Sequence, residues 1–554
     1  MNAVMKPIWQ EHYPFGTPKT IDPDVFPSIP EMFAAAAGRY RDRAALSSFG
    51  AEMTFGELDR LSRDFASYLQ NELKLRPGAR VALMMPNLLQ YPVSLLGVLR
   101  AGLVVTNVNP LYTARELKSQ LVDSGAEVII VSSLAAATLQ EVLPDTHVKT
   151  VIVTDVGDLL PVPKRWLIGL VLKFRKAVPP FNLPRAVRFR DALAQGARQA
   201  FRPIRLLGED LAFLQYTGGT TGRAKGAMLT HRNLVANVEQ VRALACIGEG
   251  GIVVVPLPLY HIFALNMILL FMSYGMTSVL IANPRDIKGF IKTIAGLKFK
   301  AIMGINTLYN AMLNHPDFGR IDFSELKYAI SGGAAMQEPV AIRWQERTGV
   351  PIVEGYGLTE TSPVVTFSPL VGSHRFDGSV GLPVPSVEIS LRDDLGEQVG
   401  PGEAGELWVR GPNVMRGYWN APEETDRTLT ADGWLKTGDV ARLTPEGRVV
   451  LVDRKKDVIL VSGFNVYPTE IEEVIASHPG VSEVAVVGIA GGSTGESVRA
   501  FVVRKDPDLT EDDLMTYCRQ LLTGYKMPRA IVFRDSLPKT PVGKILRREL
   551  REEA

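Results

Sequence analysis

Hydrophobic and polar positions in the first half of the chain follow two alternating spacings. One places apolar residues every three or four positions, as in a helix with one buried face, and the other forms short β-branched runs, as in buried strands. These stretches are Phe55–Leu69 (helix), Arg80–Met84 (strand), Val93–Ala101 (helix), Val104–Asn107 (strand) and Val128–Val131 (strand). The strand pattern returns at Ala301–Gly304 and Tyr328–Ser331. Such alternation predicts parallel sheets covered by helices, which is the α/β class.

The pattern changes after Gly381, where Gly and Pro become frequent and strands alternate, as in Gly405–Arg410 and Arg448–Asp453. This change predicts a β-rich subdomain. A smaller α+β unit follows, predicted as Thr469–Ala476 (helix), Val481–Ile489 (strand), Val498–Val503 (strand), Glu511–Leu522 (helix) and Ala530–Phe533 (strand). We therefore predict a large N-terminal domain, residues 1–455, and a small mobile C-terminal domain, residues 456–554.

One long stretch, from Gly250 to Pro284, carries no charged side chain. Prolines, Gly275 and a central Asn266 interrupt it, and a membrane-spanning helix needs about 20 uninterrupted apolar residues. We therefore predict a buried strand (Gly251–Val255), a helix after His261 and a second strand (Thr277–Ile281).

Composition excludes several classes of protein. The 554 residues are 46% apolar and 22% charged with a net charge of +2, an ordinary globular balance without the basic excess of a nucleic-acid binder. The two cysteines lie far apart in sequence and no Cys/His cluster is present, which argues against a disulfide framework or a zinc site and favours a reducing cytoplasm. Residues 1–10 do not resemble a secretory signal.

The segment between Pro161 and Arg190 is unusual because it holds eight Lys or Arg residues and no Asp or Glu. Apolar residues from Trp166 to Phe174 are interleaved with these charges. A basic segment with an apolar face can lie on an anionic membrane surface. A solvated surface helix whose apolar side packs on the protein explains the same pattern, and the sequence leaves both interpretations open.

The sharpest local motif runs from Tyr216 to Gly226 and combines four glycines, three threonines and Lys225. Glycines let backbone N–H groups turn toward one point, threonine hydroxyls add donors and the lysine adds positive charge, so the loop suits a polyphosphate. It is not a GxxxxGK[ST] loop, because Lys225 is followed by Gly226.

This loop resembles the ATP loop of the adenylate-forming superfamily, which includes acyl-CoA synthetases, beetle luciferases and the adenylation domains of peptide synthetases. Further motifs of that superfamily follow in order along essentially the whole chain. They are Pro258–His261, Gly355–Glu360, Trp434–Asp439, Asp453–Asp457 and Pro538–Lys544. The run from Asp432 to Lys456 resembles the fatty acyl-CoA synthetase signature, and Val81–Tyr91 and Leu460–Tyr467 resemble the bacterial long-chain fatty-acid–CoA ligases.

The resemblance implies a set of ATP-binding residues. Those expected to hold the β- and γ-phosphates are Thr217, Gly218, Gly219, Thr220, Thr221, Gly222 and Lys225, and Tyr216 is a further expected nucleotide-binding residue. Tyr356 is expected to stack on adenine, with Gly332, Gly333 and Ala334 as the other wall, and Gly355 and Gly357 are further expected nucleotide-binding residues. Asp439 is expected to accept both ribose hydroxyls, with Arg454 beside it, although either residue alone would be typical of surface charge.

The same resemblance implies the catalytic residues. Glu360 is the expected Mg²⁺ ligand and Thr359 the expected α-phosphate contact, although a Thr-Glu pair alone is more typical of a helix cap. His261 is expected near the acyl carboxylate, shaping the site, although a lone histidine there is usually a core residue. Lys544 is the expected catalytic lysine, which stabilises charge between the carboxylate and the α-phosphate.

The remaining implied positions concern movement and the acyl chain. Lys456 is the expected hinge of the last domain, and Gly463 is expected to leave room for the pantetheine arm of CoA. The apolar run after His261 is a candidate for the wall of an acyl tunnel, and ordinary core packing explains it equally. Some long-chain relatives have a tryptophan gate where this chain has Leu265.

The expected reaction is ATP-dependent ligation of a long-chain fatty acid to coenzyme A through an acyl-AMP, releasing AMP and pyrophosphate. The alternatives are a ligase for medium-chain or aromatic acids, an acyl-AMP ligase that serves a carrier protein, and a non-catalytic nucleotide-binding or membrane-scaffold protein. The expected partners are the fatty acid, ATP with Mg²⁺, and CoA, with no nucleic acid. A homodimer and a cytoplasmic location, peripheral on the inner face of the membrane, are further expectations.

Overall fold

The structure is a computed structural model that describes residues 7–217, 224–370, 376–400, 402–461, 464–490, 496–540 and 543–553. Its helices are α1 (Ile29–Arg39), α2 (Phe55–Asn71), α3 (Gln90–Arg100), α4 (Ala114–Ser124), α5 (Ala136–Val142), α6 (Val162–Phe174), α7 (Phe189–Gly196), α8 (His231–Ala245), α9 (Ile262–Ser273), α10 (Ile287–Ile294), α11 (Asn306–Leu313), α12 (Glu338–Thr348), α13 (Pro422–Thr428), α14 (Pro468–Ala476), α15 (Glu511–Leu521) and α16 (Arg547–Glu552).

The strands are β1 (Ala44–Ser48), β2 (Ala51–Thr54), β3 (Arg80–Met84), β4 (Val104–Asn107), β5 (Val128–Ser132), β6 (Thr150–Thr154), β7 (Val187–Arg188), β8 (Leu211–Thr217), β9 (Lys225–Thr230), β10 (Ile252–Val255), β11 (Thr277–Leu280), β12 (Ala301–Gly304), β13 (Tyr328–Gly332), β14 (Ile352–Gly357), β15 (Val364–Phe367), β16 (Leu382–Pro383), β17 (Glu388–Arg392), β18 (Gly405–Arg410), β19 (Leu435–Leu443), β20 (Val449–Arg454), β21 (Ile459–Val461), β22 (Phe464–Val466), β23 (Val481–Ala490), β24 (Glu496–Arg504) and β25 (Ala530–Arg534).

Two large sheets dominate the N-terminal part. One has the strand order β16-β15-β14-β13-β12-β10-β11-β1-β2 and the other β7-β6-β5-β3-β4-β8-β9. Their central strands are parallel, while β2, β9, β15 and β16 join antiparallel at the edges. A continuous core of buried apolar residues extends through this part of the chain, from Trp9 to Val449. The α/β prediction is therefore confirmed.

Several helices begin at a residue whose side chain accepts an N–H of the first turn. In α2, the Thr54 hydroxyl accepts the Glu57 N–H at 3.1 Å, and the Glu57 carboxylate accepts the Thr54 N–H at 2.8 Å. These two hydrogen bonds satisfy donors that no helical carbonyl can reach. The predicted helix Val93–Ala101 begins three residues earlier than expected, at Gln90, and the helix predicted to end at Leu522 ends at Leu521.

The uncharged stretch folds as predicted into a strand, a helix and a strand, namely β10, α9 and β11. Every residue of α9 from Ile262 to Met272 is buried, which explains why no polar face is visible in its sequence. Among the residues that the structure describes, no helix has the length and hydropathy required to cross a bilayer.

The β-rich subdomain is an antiparallel sheet of order β17-β18-β19-β20. The C-terminal unit follows it and contains the hairpin β21-β22 and the sheet β23-β24-β25, with α14, α15 and α16 packed around them. This unit has its own apolar core, which begins at Ile459 and includes Ile471, Val486 and Leu514. Its core therefore does not depend on that of the larger sheets.

Candidate active site

The first element of the site is a buried carboxylate. Asp439 on β19 lies opposite Arg454 on β20 in the antiparallel register, and its two oxygens have different partners. Tyr356, at the end of β14, donates its hydroxyl to Asp439 Oδ2 at 2.6 Å, and Arg454 Nε lies 3.0 Å from Asp439 Oδ1. These contacts join the β-rich subdomain to the nine-stranded sheet and fix the carboxylate in one orientation.

The end of β14 is shaped by a close backbone approach. A Cβ atom at Gly357 would overlap the carbonyl oxygen of Pro363, so only glycine fits where the chain turns into the short helix Thr359–Thr361. Gly355 pairs with Gly332 at the end of the adjacent β13, which leads directly into Gly333 and Ala334. The structure therefore brings the predicted adenine-binding residues to one edge of the sheet.

Lys544 enters the cleft from the C-terminal unit on a tight turn. Its backbone N–H donates to Thr540 Oγ1 at 3.0 Å, and its carbonyl accepts from Thr540 N at 2.7 Å. Gly543 rests against the N-terminal part, where Thr307 donates its hydroxyl to the Gly543 carbonyl at 3.4 Å. Gly543 has a φ of +86°, a backbone conformation that favours glycine, and a Cβ atom there would also lie 2.6 Å from Ile305 Cδ1.

The electrostatics around Lys544 disfavour its charged form. Burial, followed by repulsion from Arg454, lowers the pKa of the Lys544 ammonium to about 8, against a smaller opposing effect of Asp439. By accessible surface the residue as a whole is nevertheless exposed to solvent. A negatively charged ligand in this cleft would restore its affinity for a proton.

His261 lies at the same cleft and has a local structural role. Its Nδ1 accepts the Phe263 N–H at 3.4 Å and so caps the start of α9. Burial and the ammonium of Lys544 lower the pKa of His261 to about 4, so the imidazole is neutral at physiological pH. A neutral capping histidine suits a role in shaping the site better than a role as a general base.

Glu360 and Lys225 form the other end of the site. Tyr418 donates its hydroxyl to Glu360 Oε1 at 2.6 Å. Lys225 forms an ion pair with Glu424 of α13, and its ammonium lies 5.4 Å from the centroid of the Tyr418 ring. Lys225 opens β9 opposite Thr217, the last residue of β8, so the hairpin carries the predicted phosphate loop between these two residues.

Sequence comparison assigns both parts of the chain. Residues 33–419 match the AMP-binding enzymes and residues 470–544 match the AMP-binding enzyme C-terminal domain. The chain belongs to the AMP-binding enzyme family. The resemblance inferred from the motifs is therefore confirmed.

Individual relatives agree with this assignment to the AMP-binding enzymes. The chain is 54% identical to proteins named long-chain-fatty-acid–CoA ligase from Escherichia coli O157:H7 and Salmonella typhimurium, in each case over 99% of both chains. Its fold matches the crystal structure of the anthranilate CoA ligase AuaEII in complex with anthranoyl-AMP with a TM-score of 0.86, at 25% identity over 96% of this chain and 99% of that one.

Two more of the residues predicted for this AMP-binding enzyme, Tyr216 and Lys456, are described by the structure. The Tyr216 hydroxyl donates to Asp123 Oδ2 on α4 at 2.6 Å, and its ring packs against Gly226. Lys456 follows Arg454 in a turn, where burial lowers its pKa. The predicted residues Gly218, Gly219, Thr220, Thr221, Gly222 and Gly463 lie outside the described residues.

The motifs missed three residues at or beside the site, namely Tyr418, Glu424 and Arg547. Tyr418 and Glu424 hold Glu360 and Lys225 from positions almost 60 and 200 residues away in sequence. Arg547 pairs with Asp453 at 3.1 Å and with Glu472 at 2.7 Å, just beyond Lys544. The sequence offers one signal for Tyr418, which is the Gly-Tyr-Trp run at 417–419. This run places two aromatic residues beside a glycine in a polar region.

Proposed function

We propose that this AMP-binding enzyme ligates a long-chain fatty acid to coenzyme A, through an acyl-AMP intermediate and with release of AMP and pyrophosphate. The observation that carries the proposal is the 54% identity, over 99% of both chains, to proteins named long-chain-fatty-acid–CoA ligase. The convergence of Lys544, His261, Asp439 and Arg454 on one cleft supplies the chemistry that the first half-reaction needs.

In the first half-reaction, a carboxylate oxygen of the acid attacks the α-phosphorus of ATP and the bond to pyrophosphate breaks. Lys544 would lie between the two reacting groups and stabilise the negative charge that develops there. Asp439, whose oxygens already accept hydrogen bonds from Tyr356 and Arg454, would receive the ribose hydroxyls. His261 would shape the acid-binding side of the cleft as a neutral imidazole.

The residues present fit a magnesium ion bound mainly by phosphate oxygens. No group of three or more His, Cys, Asp or Glu side chains that could cage a metal occurs among the described residues, and Mg²⁺ beside a nucleotide typically needs only one or two carboxylates. Glu360 would hold the ion through the oxygen that Tyr418 does not engage. The ion supplies neutralisation of phosphate charge when bound.

In the second half-reaction, the CoA thiol attacks the acyl carbonyl and AMP leaves. A free thiol has a pKa of about 8.5, so a few per cent is already thiolate at neutral pH and no dedicated base is required. We assign Lys456 as the hinge about which the C-terminal unit, residues 456–554, turns to withdraw Lys544 and admit CoA. Gly463 would leave room for the pantetheine arm.

The acid specificity is tested by ATP–pyrophosphate exchange across a panel of acids. Residues Phe263, Leu265, Met267 and Leu269 of α9 are all buried, and Phe263 touches the site edge at Gly332. If an apolar tunnel starts here, each added CH₂ contributes about 0.8 kcal/mol, or roughly fourfold in kcat/KM, until the tunnel is full. A maximum at an aromatic or medium-chain acid, or transfer to a carrier protein in preference to CoA, would contradict the proposal.

The basic segment 161–190 supports a contact between the enzyme and anionic membranes. Helix α6 lies in this segment and none of its thirteen residues is buried. Its large outward-facing apolar side chains are Val162, Trp166, Leu167, Leu170, Val171 and Phe174, with Trp166 68% and Phe174 92% exposed. Only its opposite side, with Ile168 and Leu172, rests partly on the protein.

Charge and geometry favour a lipid bilayer as the occupant of this face. An apolar stripe flanked by Lys and Arg suits the interface of an anionic membrane, where each basic residue contributes about 1 kcal/mol. Lys164 donates to the Gly50 carbonyl, which holds the helix against the hairpin β1-β2 and next to the exposed Phe49. Helix α6 also follows the carboxyl end of β6, the same edge of the seven-stranded sheet at which β8 enters the phosphate loop.

The membrane contact is tested by co-sedimentation with vesicles of phosphatidylcholine containing phosphatidylglycerol. Leu167→Glu combined with Leu170→Glu should abolish binding while leaving activity on water-soluble acids unchanged. Val122→Glu, at an apolar side chain 42% exposed on α4, is the matched control and should bind normally. If the wild type ignores vesicles and the double variant instead converts a dimer to a monomer, the face is an interface between copies.

A homodimer otherwise remains an expectation from the family, and sedimentation velocity measures it. We place the enzyme in the cytoplasm, at the inner face of the membrane, because CoA and ATP are available there and α6 would meet anionic lipid there.

A further inference from the structure

One tyrosine lies between the two charged residues that are expected to hold the phosphates and the metal. The Tyr418 hydroxyl donates to Glu360 Oε1 at 2.6 Å, and the face of the same ring lies under the Lys225 ammonium, 5.4 Å from the centroid. Tyr418 is only 8% exposed, so its ring is fixed by packing rather than free in solvent. A single side chain therefore contacts a metal-binding carboxylate and a phosphate-binding cation.

The backbone around Tyr418 is tied to both of the elements that carry these partners. Met228 N donates to the Gly417 carbonyl at 2.9 Å and Trp419 N donates to the Gly226 carbonyl at 2.8 Å, which lays residues 416–419 along β9. On the other side, Met415 N donates to the Glu360 carbonyl at 2.8 Å. The segment thus bridges the start of β9 and the short helix that holds Glu360.

Helix α13 completes the arrangement from the solvent side. Thr425 accepts the Tyr418 N–H at 2.9 Å, and Glu424 beside it forms the ion pair with Lys225. The Lys225 ammonium lowers the pKa of the Glu424 carboxyl, so Glu424 is a charged partner at neutral pH. The carboxylate of Glu424 would therefore compete with a phosphate for Lys225.

We propose that Tyr418 is the positioning residue for both ends of the polyphosphate site, and that Glu424 is the anion that ATP displaces from Lys225. The hydroxyl holds one oxygen of Glu360, which leaves the other oxygen directed toward the metal. The ring holds the ammonium of Lys225 by a cation–π contact, which persists when Glu424 is released. This inference rests on the proposed binding of ATP and Mg²⁺ at this site.

The two contacts of Tyr418 can be separated by substitution. Tyr418→Phe keeps the ring and the contact with Lys225 but removes the hydrogen bond to Glu360. Because a hydrogen bond to a charged group is substantial, we expect the Mg²⁺ concentration that half-saturates ATP binding to rise roughly tenfold. ATP affinity without metal should stay within about twofold, because the ring remains. Tyr418→Leu removes both contacts and should weaken both measurements.

The assay is titration calorimetry of ATP binding without any acid, over a series of Mg²⁺ concentrations. Tyr517→Phe is the matched control, since it also removes a hydroxyl, one that lies 2.9 Å from Ser477 Oγ in the C-terminal unit. Glu424→Gln should raise metal-free ATP affinity about twofold or more, because a competing, partly buried ion pair is lost. Equal thermal unfolding midpoints for Tyr418→Phe and Tyr517→Phe would establish that the fold is intact.

Distinct results overturn distinct parts of the inference. An unchanged Mg²⁺ midpoint in Tyr418→Phe, or an equal loss of metal-free ATP affinity, would reject Tyr418 as the residue that positions Glu360. Weaker metal-free ATP binding by Glu424→Gln would reject Glu424 as a competing anion. If the wild type binds ATP and Mg²⁺ but forms no acyl-AMP with any acid, the proposed ligase function fails while the role of Tyr418 stands.

Discussion

The depressed pKa of Lys544 predicts a pH limit on the first half-reaction. With a pKa of about 8, Lys544 is about 90% protonated at pH 7 and about 10% protonated at pH 9. If Lys544 acts as proposed, only its ammonium form would stabilise charge at the α-phosphate, so kcat/KM for adenylation at low ATP should fall nearly tenfold over this range. Bound phosphates raise the pKa of the lysine, so the decline of kcat should begin at higher pH.

The assay is acyl-AMP formation without CoA, so that titration of the thiol does not contribute. Lys544→Arg keeps a permanent charge and should lose the alkaline limb at a reduced overall rate. Lys544→Ala should lower adenylation by at least about a hundredfold, roughly 2.7 kcal/mol, while thioester formation from supplied acyl-AMP is largely spared. A flat wild-type profile up to pH 9.5, or an alkaline limb that persists in Lys544→Arg, would refute the assignment.

Three further outcomes follow from the same geometry. Gly543 has a φ of +86°, which an L residue adopts only with strain, so Gly543→Ala should distort the turn that carries Lys544. This variant should slow adenylation by at least about tenfold and spare the thioester step, and separate measurement of the two half-reactions decides this. Asp439→Asn should raise the Kd for ATP about tenfold or more, measured by calorimetry, because it removes the carboxylate that Tyr356 and Arg454 orient. Burial raises the pKa of Glu354 from 4.5 to about 8, so between these pH values the folded protein holds a proton on Glu354 that the unfolded chain has lost. The stability that this group contributes is therefore lost as pH rises through about 8. Denaturant unfolding between pH 4.5 and 8 should show a smaller loss of stability for Glu354→Gln than for the wild type.

Local patterns in the sequence predicted most of the architecture. Runs such as Val104–Asn107 and Ala301–Gly304 are buried on both faces, so their β-branched and apolar composition reports directly on a central parallel strand. Helix α9 is an instructive case, since it is buried on all sides and shows no amphipathic period. Its assignment depended on the flanking prolines and on its length rather than on its spacing.

Contacts between distant segments could not be predicted in this way. Glu360 and Lys225 were found because they lie inside motifs, while their partners Tyr418 and Glu424 lie in a region with ordinary composition. Such pairing depends on how β9 and residues 416–419 align in space, and local propensity contains no information about that alignment. Helix α6 is a second case that depends on distant segments. Its sequence fits an apolar face turned toward solvent or toward the protein, and only the surrounding structure decides between the two.

The position of Arg547 links Lys544, the proposed catalytic lysine, to the predicted hinge at Lys456. Arg547 lies three residues after Lys544 and contacts both Asp453, which precedes Lys456 in sequence, and Glu472, which follows it. A rotation at Lys456 would keep the contact with Glu472, within the turning unit, and break the contact with Asp453. The Asp453 side chain is only 2% exposed, so its loss of Arg547 is unfavourable unless the rotation admits water or another cation. If Lys456 is the hinge, delivery of Lys544 and closure of the Asp453–Arg547 pair would be one movement, and withdrawal of the lysine would have to offset the cost of opening that pair.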